Sequence, residues 1–188
     1  METGVVIEAG MLLVATPALL DPNFADTVVL MLDVDTDGAV GVVLNRPSEL
    51  AVTEVLASWS GRVAAPDVLF QGGPVRPEAA LAVAWLRDAA DVPVGFKEVA
   101  GRLGVLDLDT PPELVDGSLA AMRIFAGYAG WDRDQLSGEI AEGSWYVVPA
   151  QVPDVFRDSV TTLWRDVLRR QPGELAWQST RPADPGQN

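Results

Sequence analysis

Gln135 and Glu139 are four residues apart, so on a helix they share one face, and a carboxylate held that way can serve as a general base or as a ligand for a hard metal ion. Just upstream, Gly127-Tyr128-Ala129-Gly130-Trp131 sets two aromatic rings in a glycine-rich stretch where the backbone can approach another element closely. In one reading Tyr128, Trp131, Gln135 and Glu139 line a pocket; in the plainer one the aromatics are core anchors and Glu139 a cap or ion-pair partner. Asn45 and Arg46 end an apolar run before Pro47, which forbids further ladder pairing and holds Arg46 extended. The planar fork of Arg46 suits a carboxylate or phosphate, Asn45 both donates and accepts, and the competing use of Arg46 is an internal ion pair. In Gly72-Gly73-Pro74 two amides stand clear of side chains, as in an anion nest or oxyanion hole, although a tight turn needs the same glycines.

Two absences narrow this chemistry. The 188 residues contain no cysteine and no histidine, which removes thiol nucleophiles, disulfides, Ser-His-Asp and Cys-His catalysis and the usual zinc sites. Lys97 is the only lysine. What remains is carboxylates, hydroxyls, arginine, backbone amides or an oxygen-held cation. Asp33, Asp35, Asp37 and Gly38 spell the opening of a calcium-binding loop, but the position that should carry the closing glutamate is Leu44, and strands flank the stretch. The turn is therefore expected to be an acidic hairpin tip. No metal and no cofactor is expected.

The net charge of −14 repels phosphate backbones and argues against a nucleic-acid partner. The best basic cluster, Arg165, Arg169 and Arg170, has Asp158 and Asp166 beside it and reads as a solvated helix face. Met11 to Leu20 is apolar but is broken by Pro17 and is half the length of a membrane span. With Glu2 and Glu8 before that run, no secretory signal, no membrane association and a cytoplasmic location are expected.

These groups must be positioned by the elements between them. Leu12 to Ala15 reads as a buried strand, and Val28–Leu32 and Val40–Leu44 as an antiparallel hairpin closed by Asp35-Thr36-Asp37-Gly38. Thr53 is placed to cap a helix reaching Trp59. Val68–Phe70, Gly104–Leu108, Met122–Phe125 and Ser144–Val148 read as strands. Local propensity makes Pro77–Leu86 and Pro111–Ala121 helices, Asp132 caps a helix to Glu142, and Val160–Arg170 is a last amphipathic helix. This mixture is α+β, in one domain over residues 1–178 followed by a polar, proline-containing tail at 179–188 that is expected to be mobile.

Gly10-Met11-Leu12-Leu13-Val14-Ala15, Val42-Val43-Leu44-Asn45-Arg46-Pro47, Gly72-Gly73-Pro74-Val75, and Gly127 to Trp131 with Gln135-Leu136 and Ser144-Trp145 together resemble the AlgH/YqgE-like family. The likeness runs from about Gly10 to Trp177. It implies a mostly antiparallel sheet forming a small, partly barrel-like core surrounded by helices, and it makes Ala79–Trp85 a strand, which is adopted here over propensity. The family usually follows Gln-Leu with glutamate; here Ser137 stands there, with Glu139 two residues on. Some members are labelled transcriptional regulators, but nothing in this chain resembles a helix-turn-helix.

The reading that results is a non-catalytic module that binds a protein or small ligand through the segments carrying Asn45, Arg46, Gly72, Gly73, Tyr128, Trp131, Gln135 and Glu139. The alternatives are a transcriptional regulator, or a hydrolase built from Glu139, Asn45 and the Gly72-Gly73 amides with or without magnesium. Neither the partner nor an oligomeric state follows from the residues.

Overall fold

Apolar side chains in the first fifty residues come in unbroken runs rather than in alternation, the pattern of strands covered on both faces. A computed structural model, describing residues 5–132 and 134–180, bears this out. Its strands in chain order are β1 (Met11–Ala15), β2 (Val28–Val34), β3 (Gly38–Val43), β4 (Pro47–Ala51), β5 (Val68–Gln71), β6 (Val75–Leu86), β7 (Phe96–Ala100), β8 (Leu103–Leu106), β9 (Leu119–Asp132) and β10 (Trp145–Pro149). The helices are short: α1 (Val52–Val55), α2 (Gln135–Ala141), α3 (Val152–Phe156), α4 (Leu163–Arg169) and α5 (Glu174–Gln178). Strand order is β10-β1-β2-β3-β9-β6-β8-β7, with β4 on β5 and β5 parallel to β9. None of these helices is long and apolar enough to cross a membrane.

The sheet curls into a half-barrel, and its two surfaces carry three cores. Inside the curl, Leu12, Val14, Leu30, Val42, Leu44, Phe70, Val83 and Phe125 meet Val155, Leu163 and Val167 of α3 and α4. On the outer surface of one half lie Leu13, Val29, Met31, Val43, Ala129, Trp131, Leu136 and Trp145. Trp59, Leu69, Ala82, Ala84, Leu106, Met122 and Ile124 fill the outer surface of the other half. The α+β class holds, but the expected shell of helices does not: a few short helices pack on a core that the strands themselves build.

β9 serves both halves, pairing with β3, β5 and β6. Its side chains are re-phased in the middle. Phe125 and Tyr128 both face the inner core although three positions separate them, and Trp131 then faces outward. Gly127, at φ +72°, makes the irregularity; a Cβ there would sit 2.6 Å from the Gly73 carbonyl oxygen.

The hairpin β2–β3 forms in the expected antiparallel register, Leu30 opposite Val42, and Asp35 closes its turn by accepting the Asp37 and Gly38 N–H groups. β6 confirms the strand adopted over helical propensity, because β8 and β9 pair with it on both edges. Several expectations need correction. Ala51, not Thr53, precedes α1, which ends at Val55 before a single 3-10 turn at Ala57–Trp59. Pro111–Ala121 is helical only as a 3-10 turn at Pro112–Leu114, since Leu119 and Ala121 are drawn into pairing with β6. Met122 to Asp132 is one strand rather than a strand and a loop. Asp134 rather than Asp132 precedes α2, and α4 begins at Leu163. Pro47 does not end pairing: it opens β4 opposite Phe70, the start-of-strand position that proline tolerates. Ser179 is buried and Thr180 donates its hydroxyl to the Trp177 carbonyl; residues 181–188 of the expected tail lie outside the described residues.

Candidate functional site

The three segments singled out in the sequence meet as backbone. The Arg46 carbonyl accepts the Gln71 N–H at 2.7 Å, the Gly72 carbonyl accepts the Val43 N–H at 2.8 Å, and the Gly72 N–H reaches the Ala126 carbonyl at 2.9 Å. Gly72 and Gly73 are glycine because β9 runs against them: a Cβ on Gly72 would fall 2.3 Å from the Gly127 oxygen, and one on Gly73 2.2 Å from the Tyr128 carbonyl. Close approach, not an open nest of amides, explains the pair.

The side chains of Asn45 and Arg46 point elsewhere. Asn45 accepts the Val28 N–H and donates to the Asp26 carbonyl, and Arg46 donates to the carbonyls of Pro22, Asn23 and Ala25. Among the described residues no carboxylate is its partner. The two residues hold the loop of residues 21–26 in place of a ladder that loop cannot form. That loop carries Phe24, whose ring stacks on Trp131 at 5.9 Å and meets Trp145 edge-on at 5.7 Å.

Beneath Phe24 lies a connected polar group. Trp131 and Trp145 each donate an indole N–H to the same Glu139 oxygen, at 2.9 and 2.8 Å, and Gln135 donates to the other oxygen at 3.0 Å. Gln135 in turn accepts the Asp132 N–H, fastening the start of α2 to the end of β9. Glu139 is thus held by three donors, with both oxygens committed. Trp131, Gln135 and Glu139 converge as the spacing suggests, but Tyr128 lies across the strand on the inner surface. Trp145 and Phe24 are the members the residue-by-residue reading did not assign; the Ser144-Trp145 motif was the available signal for one, and no spacing marks the other. Ser137 donates to the Asp134 carbonyl.

The open space lies beside this network, at the tip of the β2–β3 hairpin. One groove, about 380 Å³, is lined by Asp33, Asp35, Gly38, Val40, Val75, Tyr128, Gly130 and Asp132. Gly38 pairs with Asp132 and Val40 with Gly130, so two missing side chains bare the sheet there. A second groove, about 360 Å³, opens on the other side of the tip between Ile7, Val34 and Leu136. Among the described residues no cluster of acidic groups is arranged to hold a metal ion.

Elsewhere, Arg170 of the basic cluster is committed to the buried Asp154, and Arg169 reaches Asp166. The Asp166 carboxyl is held below the usual carboxylate range by the Thr162 hydroxyl and by Arg157. Arg62 forms a two-pronged pair with Asp116 and lowers that carboxyl in the same sense. Arg123, 1% exposed, donates to the carbonyls of Val155 and Ala65 and lies over the Phe70 ring; burial pushes its pKa down to about 10.

Comparison with known proteins places these features. A UPF0301 protein from Streptomyces avermitilis is 51% identical over 182 residues, covering 95% of this chain and 94% of that one. One from Mycobacterium tuberculosis is 45% identical, covering 97% and 91%. The crystal structure of protein DIP2367 from Corynebacterium diphtheriae superposes with a TM-score of 0.89 at 35% identity, covering 96% of this chain and 95% of that one. The solution structure of the AlgH protein from Pseudomonas aeruginosa gives 0.69 at 25% identity, covering 98% and 100%. The family model described as AlgH-like, DUF179, matches residues 12–176, and the chain belongs to that family.

Proposed function

We propose that the protein is a non-catalytic docking module that takes up a cationic side chain of a partner protein in the groove beside Tyr128. The observation that carries this reading is the groove's floor, where Gly38 and Gly130 leave the sheet bare between Val40, Val75 and the Tyr128 ring, with Asp33, Asp35 and Asp132 around it. A lysine or arginine stem packs on such a floor while its charge meets the ring face and the carboxylates. The groups an oxygen-based hydrolase would need are spent internally: Glu139 on three donors, Asn45 on the 21–26 loop, the Gly72 N–H on β9. That commitment supports binding over catalysis.

Gly130→Trp tests it, because a Cβ at Gly130 meets nothing nearer than 3.9 Å and the variant can fill the groove without disturbing the fold. A short polyarginine peptide, followed by amide NMR shifts, is expected to move Tyr128, Gly130 and Asp132 in the native protein. Gly130→Trp should abolish those shifts at unchanged melting temperature. Shifts spread evenly over the acidic surface, or persisting in the variant, overturn the proposal.

A further inference from the structure

A cavity of about 210 Å³ opens at the other half of the sheet, where Trp59, Arg62, Arg87, Asp116, Ala120 and Ala121 are among the residues that line it. Three segments distant in the chain meet there. The Ala64 N–H reaches the Met122 carbonyl at 2.7 Å and ties the turn after Trp59 to β9. The Arg87 N–H reaches the Ser118 carbonyl at 2.9 Å and ties the end of β6 to the start of β9. Between these ties β9 bulges: Trp85 lies opposite Ala121 but Leu86 opposite Leu119, which leaves Ala120 as the extra residue. A bulge bends its strand and re-aims the side chains around it, and this one carries only a methyl group, so it opens space instead of filling it.

The two arginines of the cavity stand in different states. Arg62 donates from Nε and NH2 to the two Asp116 oxygens at 2.7 and 3.0 Å, and from NH1 to the Ser58 carbonyl at 2.7 Å. Its fork is held in one direction, with further N–H groups unspent. Arg87 is anchored through its main chain alone, since its carbonyl accepts the Arg102 guanidinium at 2.8 Å. Among the described residues its side chain forms no ion pair. The carboxylates nearest in the chain are engaged elsewhere: Asp88 accepts the Ala90 N–H, and Asp91 accepts the Ser118 hydroxyl. Glu113 acts on Arg62 through space but does not line the cavity.

Charge and size together select the occupant. Arg62 and Asp116 cancel, so the cavity offers the one charge of Arg87, and a doubly charged phosphate would be left undercompensated in a chain of net charge −14. Sites for drug-sized ligands run to about 300–1,000 Å³, so this space suits a shorter molecule. We infer that the cavity binds a small monocarboxylate, its oxygens taken by the fork of Arg87 and the spare N–H groups of Arg62, and its short apolar body lying along Leu119 and the alanines.

The probe is sodium isobutyrate, titrated at fixed ionic strength and followed by amide NMR shifts, with isobutyramide as the neutral counterpart and inorganic phosphate as the second anion. Isobutyrate is expected to give saturable shifts at Arg62, Arg87, Ala120 and Ala121, and isobutyramide none. The amides of Tyr128, Gly130 and Asp132 should stay in place, because the carboxylates of that groove repel the probe, which separates the two sites. Arg87 is exposed, so its replacement leaves the cores intact. Arg87→Gln should weaken binding by about tenfold or more, and Arg87→Lys, which keeps the charge and loses the fork, should fall between it and the native protein. Phosphate that matches or exceeds isobutyrate, equal shifts with isobutyramide, undiminished binding by Arg87→Gln, or shifts that appear at the Tyr128 groove instead would each overturn the inference.

Discussion

Glu139 and Arg123 each bring a charge into the protein with no oppositely charged side chain in contact among the described residues, and they are accommodated in opposite ways. Glu139 sits at the outer surface where β9, α2 and β10 meet, and three side-chain N–H groups arrive at its two oxygens. Arg123 lies in the wall between the inner core and the 65–67 segment, and it spends its guanidinium on two main-chain carbonyls and an aromatic face while its Nε–H finds no acceptor. A carboxylate can be satisfied by neutral donors on rigid rings; a buried guanidinium has more N–H groups than its surroundings have acceptors. The first arrangement stabilises a junction, whereas the second carries an unrelieved desolvation cost.

Removing Arg123 should therefore give the largest effect and also the most divided one. Arg123→Ala leaves a cavity and two carbonyls without their donor, at a cost of about 3–5 kcal/mol in urea unfolding. Arg123→Met fills the space without the charge and should stay within ~1.5 kcal/mol of the native protein. Burial favours the neutral form of Arg123, so from about 10 up to the ordinary arginine value the unfolded chain holds more protons than the folded one. Stability attributable to this group must then rise as pH climbs through that window and be absent below it. Unfolding measured between pH 9 and 11 should show that rise in the native protein and not in Arg123→Met; identical slopes would contradict it.

Glu139→Ala should cost less, about 2–3 kcal/mol, because it strands two indole N–H groups that can relax toward solvent at the rim. Glu139→Gln, which keeps one acceptor oxygen, should lose about 1 kcal/mol. Tryptophan emission is the second readout: Ala in place of Glu139 should change it, since Trp131 and Trp145 both lose their partner. Of the three alanine variants the smallest effect is expected from Arg46→Ala, about 1–2 kcal/mol. It releases the 21–26 loop without removing a side chain from any of the three cores, and faster hydrogen exchange at the Phe24 and Thr27 amides would locate the change.

The parts of the molecule legible in the sequence are those decided locally. The β2–β3 hairpin could be read because β-branched runs flank a turn whose Asp35 carboxylate caps its own backbone. The Gln135–Glu139 contact could be read because four residues is one helical turn. β6 defeats local reading, since its alanines favour helix and only pairing with β8 and β9 makes them strand. Pro111–Ala121 fails for the same reason at its distal end. The bare floor of the Tyr128 groove depends on Gly38 and Gly130 belonging to adjacent paired strands, a matter of register that neither segment contains by itself. Arg46 was recognisable as a group that must be paired, but the carbonyls that receive it belong to a loop twenty residues earlier with no pattern to announce it.

Gly127 has a consequence for how β9 can vary. By absorbing one step of the alternation, it assigns Phe125 and Tyr128 to one side of the sheet and Trp131 to the other. A residue that kept to plain alternation at position 127 would exchange the sides: the Trp131 indole would turn away from Glu139, and the residues flooring the groove would be pressed into the outer core. The strand can accept new side chains at many positions, but at position 127 it has to keep a residue that steps out of the alternation, as Gly127 does at positive φ.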